Sequence, residues 1–311
     1  MSIDATQLPT DSASLAGTES RSSLPFEEAD VIRYARDVVT HSGTSFRLGM
    51  KILPKDRRNA MYAVYAYCRE IDDIADEDSS QSKKLAALGE WREEIDRLYA
   101  GRPTRKTSLA LLHPVENYEL AKSEFLLLLE GMEMDAKGPI VRPSLETLMA
   151  YCRRVAGAVG MLSMPIFGAT PGADSDRFAI SLANALQVIN ILRDVREDAM
   201  MGRIYLPAEM LDARGITTVD PDSILASPAL GNACADLSLV AKENFEVARE
   251  ALQNLNWRTV RPALLMMGVY QEYLQRLESR GWDEVTEPLK LSSFEKLTIA
   301  ARWALAPPVV V

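Results

Sequence analysis

Asp72 and Asp76 in YCREIDDIADE, and Asp194 and Asp198 in VINILRDVREDAMMGRIYLP, make two aspartate pairs with the same i,i+4 spacing. On an α-helix that spacing turns both carboxylates of a pair to one face, with Cβ atoms about 5–6 Å apart. Two unit charges ~6 Å apart repel by about 3 kcal/mol at an effective dielectric near 20, so each pair demands a compensating positive charge. Hard divalent cations suit oxygen-only ligands, and Mg²⁺ is commonly held by one or two carboxylates while it grips substrate phosphates. Two such pairs facing each other would form a trap for a diphosphate. A lone pair of this kind is most often a solvated acidic surface, and the flanking residues decide against that here.

Tyr65, Arg69, Asp72 and Asp76 recur at intervals of four, three and four, and Gln187, Asn190, Asp194 and Asp198 at three, four and four. Each set therefore shares one helical face. Both polar stripes run along segments otherwise rich in Val, Ile, Leu, Ala and Tyr, where an unpartnered buried polar group costs several kcal/mol. Arg69 lies on the first aspartate face and Arg203 follows the second pair, which makes them the phosphate candidates, since guanidinium grips phosphate bidentately. Arg193 either pairs with Asp194 or reaches a phosphate, and both readings stand.

A third constellation lies in YCRRVAGAVG, where Ala156, Gly157 and Gly160 are small residues on neighbouring turns. Glycine inside a helix costs about 1 kcal/mol relative to alanine, and either close helix packing or room for a long apolar ligand must offset that. Tyr151 sits one turn earlier, its phenol facing a cavity or capping a buried polar group.

The elements that must carry these residues are helical. Nearly every long segment has helical periodicity and no useful strand alternation occurs, so the class is all-α. A helix is expected to start after Pro54 and run through the first pair, with KKLAALGEWREEIDRLYA next and GRPTRKT as a loop. ENYELAKSEFLLLLEGMEMD, SLETLMAYCRRVAGAVGMLSMPIFG and FAISLANALQVINILRDVREDAM are expected as three further helical runs. GRIYLPAEMLDARGI reads as an irregular, lid-like connection, and SLVAKENFEVAREALQNL and VRPALLMMGVYQEYLQRLESRG as the last long helices. No repeat and no linker divides the body, so one domain is expected over residues 26–300. The Ser/Thr/Ala/Asp-rich residues 1–25 read as a disordered tail, and residues 301–311 as an apolar one.

At 311 residues, 47% hydrophobic and 25% charged, the chain has an ordinary globular composition. Its net charge of -9 argues against nucleic-acid binding, so phosphate chemistry must be local and metal-assisted. Cys68, Cys152 and Cys234 form no CxxC or Cys/His grouping with His41 and His113, which argues against zinc and disulfides. The odd cysteine count without a signal-like start fits a reducing cytoplasm. No 18-residue apolar run exists to span a membrane. LTIAARWALAPPVVV, apolar apart from Arg302, reads as a last core helix with a frayed end or as a peripheral contact with the inner face of a membrane.

HSGTSFRLGMKILP, YCREIDDIADE, YCRRVAGAVG and QVINILRDVREDAMMGRIYLP stand in the order seen in squalene and phytoene synthases, and the chain resembles that family from about Ser42 through about Leu206. The combination is highly specific, although either aspartate pair alone is weak. Within the family the wording is most similar to bacterial presqualene diphosphate synthases of hopanoid pathways.

The resemblance implies an isoprenoid synthase (class I terpenoid synthase) fold with a central cavity, and two molecules of farnesyl diphosphate joined head to head. It implies Mg²⁺ ligands at Asp72, Asp76, Asp194 and Asp198, diphosphate contacts at Arg69 and Arg203, and polar lining at Gln187 and Asn190. Tyr151 matches the family's active-site tyrosine, Ser45 and Phe46 a flap over substrate, and Tyr270 a cavity aromatic. Tyr65, Ala156, Gly160, Arg193 and Tyr205 join the expected substrate-binding set. A farnesyl cation would be attacked by the 2,3 double bond of the second substrate, and proton loss to Tyr151 or to the departing diphosphate would close a cyclopropane. NADPH is not expected, and downstream hopanoid-pathway enzymes are the expected protein partners. The same site would also serve squalene, dehydrosqualene or phytoene synthesis, or hydroxysqualene formation from presqualene diphosphate. A non-catalytic helical assembly factor is the remaining alternative, and such a protein would be expected to lack the acidic pairs.

Overall fold

A computed structural model describes residues 26–42 and 46–305, so the readings of residues 1–25, of Ser45 and of residues 306–311 lie outside it. The described chain is all-α, as the periodicity requires. Its only extended pairing among those residues is an isolated parallel bridge between Val141 and Ile204.

The N-terminal half comprises α1 (Glu28–His41), α2 (Phe46–Lys51), α3 (Lys55–Asp76), α4 (Gln81–Tyr99), α5 (Lys106–Asn117) and α6 (Lys122–Ala136). Pro54, with its fixed φ and no N–H to lose, caps α3 as expected. Apolar faces of α1, α3, α4, α5 and α6 close on one core, centred on Tyr67, Trp91 and Phe125. The Tyr67 ring meets the other two edge-on, each at 5.2 Å between centroids.

In the second half α7 (Leu145–Cys152) passes through a π-helical turn, Arg153–Gly157, into α8 (Ala158–Phe167). Then come α9 (Ala173–Arg193), α10 (Val195–Met200), α11 (Ala208–Ala213), α12 (Pro221–Leu225), α13 (Leu230–Leu252), α14 (Arg261–Arg280) and α15 (Ser293–Leu305). From Ser181 to Leu192 α9 is almost wholly buried, and its partners include α8, α13, α14 and the π-turn. The second core gathers α7, α9, α13 and α14 beneath α15. Residue 300 falls inside α15, whose Ala300 and Trp303 are buried against the body.

Three expectations need correction. The helix expected over ENYELAKSEFLLLLEGMEMD is two elements, because α5 ends at Asn117, Glu119 takes a left-handed φ of 49°, and α6 begins at Lys122. The α5 helix was hidden by Pro114 and by the polar approach GRPTRKT. Its start is capped from outside by Glu94 of α4, which is fully buried and accepts the N–H groups of Thr104 at 2.6 Å and Arg105 at 2.9 Å. Burial alone would raise the Glu94 pKa, but hydrogen bonds from Ser108, Thr104 and these backbone groups outweigh it and bring it to about 2.

The second aspartate pair does not ride one continuous helix. Asp194, at φ −106° and ψ 14°, ends α9 and caps the start of α10. The Asp198 N–H still reaches the Asp194 carbonyl at 2.8 Å, so the spacing survives the break. The segment after it is no lid, since Ile204, Tyr205 and Leu206 are buried. Reciprocal backbone bonds, Ile204 N–H to Ile140 and Arg142 N–H to Ile204, both 2.8 Å, stitch it down, and α11 occupies much of the remainder.

Candidate active site

The two cores leave a cavity of about 230 Å³ between α3, α8, α9 and α14. Seven expected residues line it: Phe46, Tyr65, Ala156, Gly160, Gln187, Asn190 and Tyr270. The rest of its wall is mostly aliphatic, with Val64, Val159, Leu182, Leu186 and Met266 among the lining. Gly160 serves close packing and also lies in the cavity wall. A Cβ there would lie 2.8 Å from the Ala179 carbonyl oxygen, so the glycine lets α8 touch α9 while also bordering the cavity. At the polar end Tyr270 donates its hydroxyl to Asn190 Oδ1 at 2.9 Å, and Asn190 donates to Gln187 Oε1 at 3.3 Å.

The aspartates stand beyond that polar end. Asp72 and Asp76 occupy the last turns of α3, where the carbonyl end of the helix disfavours negative charge and adds to their mutual repulsion. Burial, and then the neighbouring Asp76, raise the Asp72 pKa to about 6 against the opposing pull of Arg69. Across the site Asp198 rises to about 7, by burial and then by Asp194, with Arg203 opposing.

Arginines answer these carboxylates. Arg69 reaches Asp72 at 3.3 Å and Asp73 at 2.5 Å, and Arg193 reaches Asp194 at 2.5–2.7 Å. Arg203 crosses from the second motif to Asp76 of the first at 2.8 Å, which ties the two motifs together. The Arg193 guanidinium also lies 5.2 Å from the Tyr273 ring.

Tyr151 does not line the cavity. Its hydroxyl donates to Asp135 Oδ2 at 2.9 Å, Tyr205 donates to Asp135 Oδ1 at 2.9 Å, and the two rings stack with centroids 5.2 Å apart. Asp135 is the functional candidate that sequence reasoning missed. It is 9% exposed, and burial raises its pKa while the two phenols and Arg203 pull it down. Asp72, Asp76 and Asp198 all lie within its electrostatic reach, so a fifth carboxylate sits under the four of the motifs. The available signal was its place on the apolar face of α6, with Phe125, Leu128 and Met132.

Among the described residues no three carboxylates converge into a self-contained cation cage. Two carboxylates per motif, the motifs tied together by the Arg203–Asp76 pair, fit a cation whose remaining ligands are substrate oxygens and water. Cys68 and Cys152 are thiols driven up to about 12 by burial, which suits packing and not metal binding or nucleophilic work.

Known proteins share this architecture. The squalene/phytoene synthase family model matches residues 39–295. A presqualene diphosphate synthase of Sinorhizobium fredii is 40% identical over 277 residues, covering 89% of this chain and 99% of that protein. The presqualene diphosphate synthase of Zymomonas mobilis is 40% identical over 84% of this chain and 88% of its own. Among solved structures, a dehydrosqualene synthase in complex with ligand superimposes with a TM-score of 0.76 at 26% identity, over 89% of this chain and 96% of that one. A squalene synthase from Alicyclobacillus acidocaldarius gives 0.75 at 28%, over 86% and 98%. With the family model spanning most of the sequence and the aspartate pairs standing at the end of an apolar cavity, the chain belongs to the squalene/phytoene synthase family.

Proposed function

We propose that this protein is a presqualene diphosphate synthase, condensing two farnesyl diphosphates head to head with release of one diphosphate. One observation carries the reading: two aspartate pairs, bridged by Arg203, stand at the polar end of an apolar cavity. The two presqualene diphosphate synthases at 40% identity favour this product over those of the more distant phytoene synthases, about 30% identical.

In this reading Asp72, Asp76, Asp194 and Asp198 hold Mg²⁺ with the substrate diphosphates, and the bound cations supply Lewis acidity to the departing group. Arg69, Arg193 and Arg203 turn from the acids to the phosphate oxygens and hold the leaving diphosphate away from the hydrocarbon. Tyr65, Gln187, Asn190 and Tyr270 orient the allylic end. The aliphatic wall excludes water from the farnesyl cation until the second double bond attacks. The proton lost on cyclopropane closure goes to the diphosphate oxygens at the aspartates, since Tyr151 lies outside the cavity wall with its hydroxyl on Asp135.

NADPH has no part in this half-reaction. Phe46 begins α2 and borders the cavity, which suits the flap role read for it. No helix among the described residues is long and apolar enough to cross a membrane. Peripheral contact belongs to the proposal on the strength of Phe294 and Leu297, which expose an apolar face of α15. Supply of presqualene diphosphate to hopanoid-pathway enzymes follows from the same reading.

Product analysis after incubation with farnesyl diphosphate and Mg²⁺, with and without NADPH, tests it. Accumulation of a cyclopropyl diphosphate in both reactions is the expected result. Squalene formed only with NADPH, or no conversion of farnesyl diphosphate at all, would overturn it.

A further inference from the structure

A second cleft lies at the end of the cavity remote from the aspartates, sharing Phe167 and Pro262 with its wall. Arg57 of α3, Arg258 of the loop between α13 and α14, and Arg261 of α14 all line it, and no Asp or Glu does. The chain holds 44 acidic against 35 basic residues, so three arginines in one cleft with no acid beside them run against its composition. Nor are the guanidinium groups paired with acids outside the cleft. Among the described residues none of the three is in an ion pair, whereas the three arginines at the aspartate motifs are all paired.

The cleft is built and not incidental. Gly168 takes a φ of +87°, and a Cβ on it would meet the Arg57 guanidinium at 2.3 Å, so the glycine makes the seat in which that group lies. Arg57 Nη1 donates to the Ile166 carbonyl at 2.8 Å, which fixes it further and leaves its other donors for something else. The Arg261 Nε–H is buried with no acceptor. A buried orphan donor costs about 1–3 kcal/mol, and an acceptor entering the cleft would relieve that cost. The amino ends of α3 and α14, helices of 22 and 20 residues, open beside Pro54 and Thr259 of the same cleft and add positive potential.

We propose that the Arg57–Arg258–Arg261 cleft is a second anion site, binding a phosphate or diphosphate group independently of the aspartate motifs and of divalent metal. Guanidinium forks select phosphoryl oxygens by paired hydrogen bonds, and the cleft offers three of them from three elements. Ile52, 43% exposed, and the buried Leu53 form an apolar side to it, so the phosphate is either a free inorganic or ester phosphate or the headgroup of a lipid whose chains meet that side. A group seated there touches Phe167 and Pro262, and through them the closed end of the prenyl cavity.

The test is calorimetric titration of the full chain with inorganic diphosphate in EDTA, beside co-sedimentation with phosphatidylglycerol and with phosphatidylcholine vesicles. Metal-independent diphosphate binding is expected at one site per chain, unchanged in the Asp72→Asn/Asp194→Asn variant. It should weaken about tenfold in Arg261→Gln and in Arg258→Glu, the size of one charge-assisted hydrogen bond. Arg258 is exposed, so its variant should fold, and thermal melting checks both. Binding to phosphatidylglycerol vesicles alone, lost in Arg258→Glu, would identify the phosphate as a lipid headgroup and uphold the site. Binding to neither probe, or binding indifferent to both arginine substitutions, would overturn it. Turnover of farnesyl diphosphate is a separate readout, so failure here is distinguishable from failure of the synthase reading.

Discussion

Tyr151 and Asp135 form one buried hydrogen bond of 2.9 Å, and the second oxygen of the same carboxylate receives Tyr205 at the same distance. One acid therefore holds two stacked phenols from positions 16 and 70 residues away, under the aspartate motifs. Removing either hydroxyl leaves a carboxylate oxygen without its donor, at a cost of about 1–3 kcal/mol. Tyr151→Phe and Tyr205→Phe should each destabilise the protein by that amount in urea denaturation. Because they share Asp135, the double variant should depart from additivity by ~0.5 kcal/mol or more. Strict additivity would show that the two bonds do not act through one group.

Asp72→Asn and Asp194→Asn should each leave the circular dichroism spectrum unchanged and suppress conversion of farnesyl diphosphate. Loss of an outer-shell partner typically costs 10–100-fold, and a direct ligand is expected to cost more than that. Turnover at the wild-type rate in either variant would remove the aspartates from the chemistry.

The raised carboxylates carry a stability signature of definite sign. Asp72 near 6 and Asp198 near 7 hold protons in the folded protein at pH values where an unfolded carboxyl, near 4, has lost them. Stability from these groups is present at low pH and is lost as pH rises through about 4 to 7. Asp198→Asn removes the charge that the fold disfavours. In EDTA it should melt above the wild type at pH 8, with the gap closing by pH 5, even as it loses turnover. A variant that melts lower at pH 8 would refute the assignment.

Ala183 borders the cavity from α9. Ala183→Leu places added methylenes where the prenyl chain must run, and a misfitting methylene is worth about 1–3 kcal/mol, or ~10–200-fold in specificity. The ratio of turnover with geranyl to farnesyl diphosphate should rise by at least ~10-fold in competition assays. An unchanged ratio would place the hydrocarbon elsewhere.

How far the sequence carried depended on the distance over which each feature is decided. The aspartate faces, the Pro54 start of α3 and the long apolar helices are settled within a few turns, so periodicity revealed them. The α5 helix was not legible, because Pro114 lies inside it and Glu94 of another helix anchors the backbone at its start. The break at Asp194 was hidden because an i,i+4 count is the same through a cap as through a helix. Asp135 escaped for a related reason: its partners are remote in sequence, and only the folded chain brings them to it. Arg69, Arg193 and Arg203 were singled out by position, yet their carboxylate partners in the fold were open or unread, since side-chain reach is not encoded in spacing.

In the proposed reading, those guanidinium contacts would make recognition at the aspartates a partner exchange and not a simple capture. A divalent cation held by either pair would compete with an arginine for Asp72, Asp76 or Asp194, and the displaced arginine would find a new anion only if a phosphate arrived with it. Metal alone leaves the guanidinium groups stranded and diphosphate alone leaves the acids facing it, so each ligand supplies what the other dislodges. The two should bind cooperatively, and release of diphosphate should return the arginines to the acids and loosen the metal in the same event.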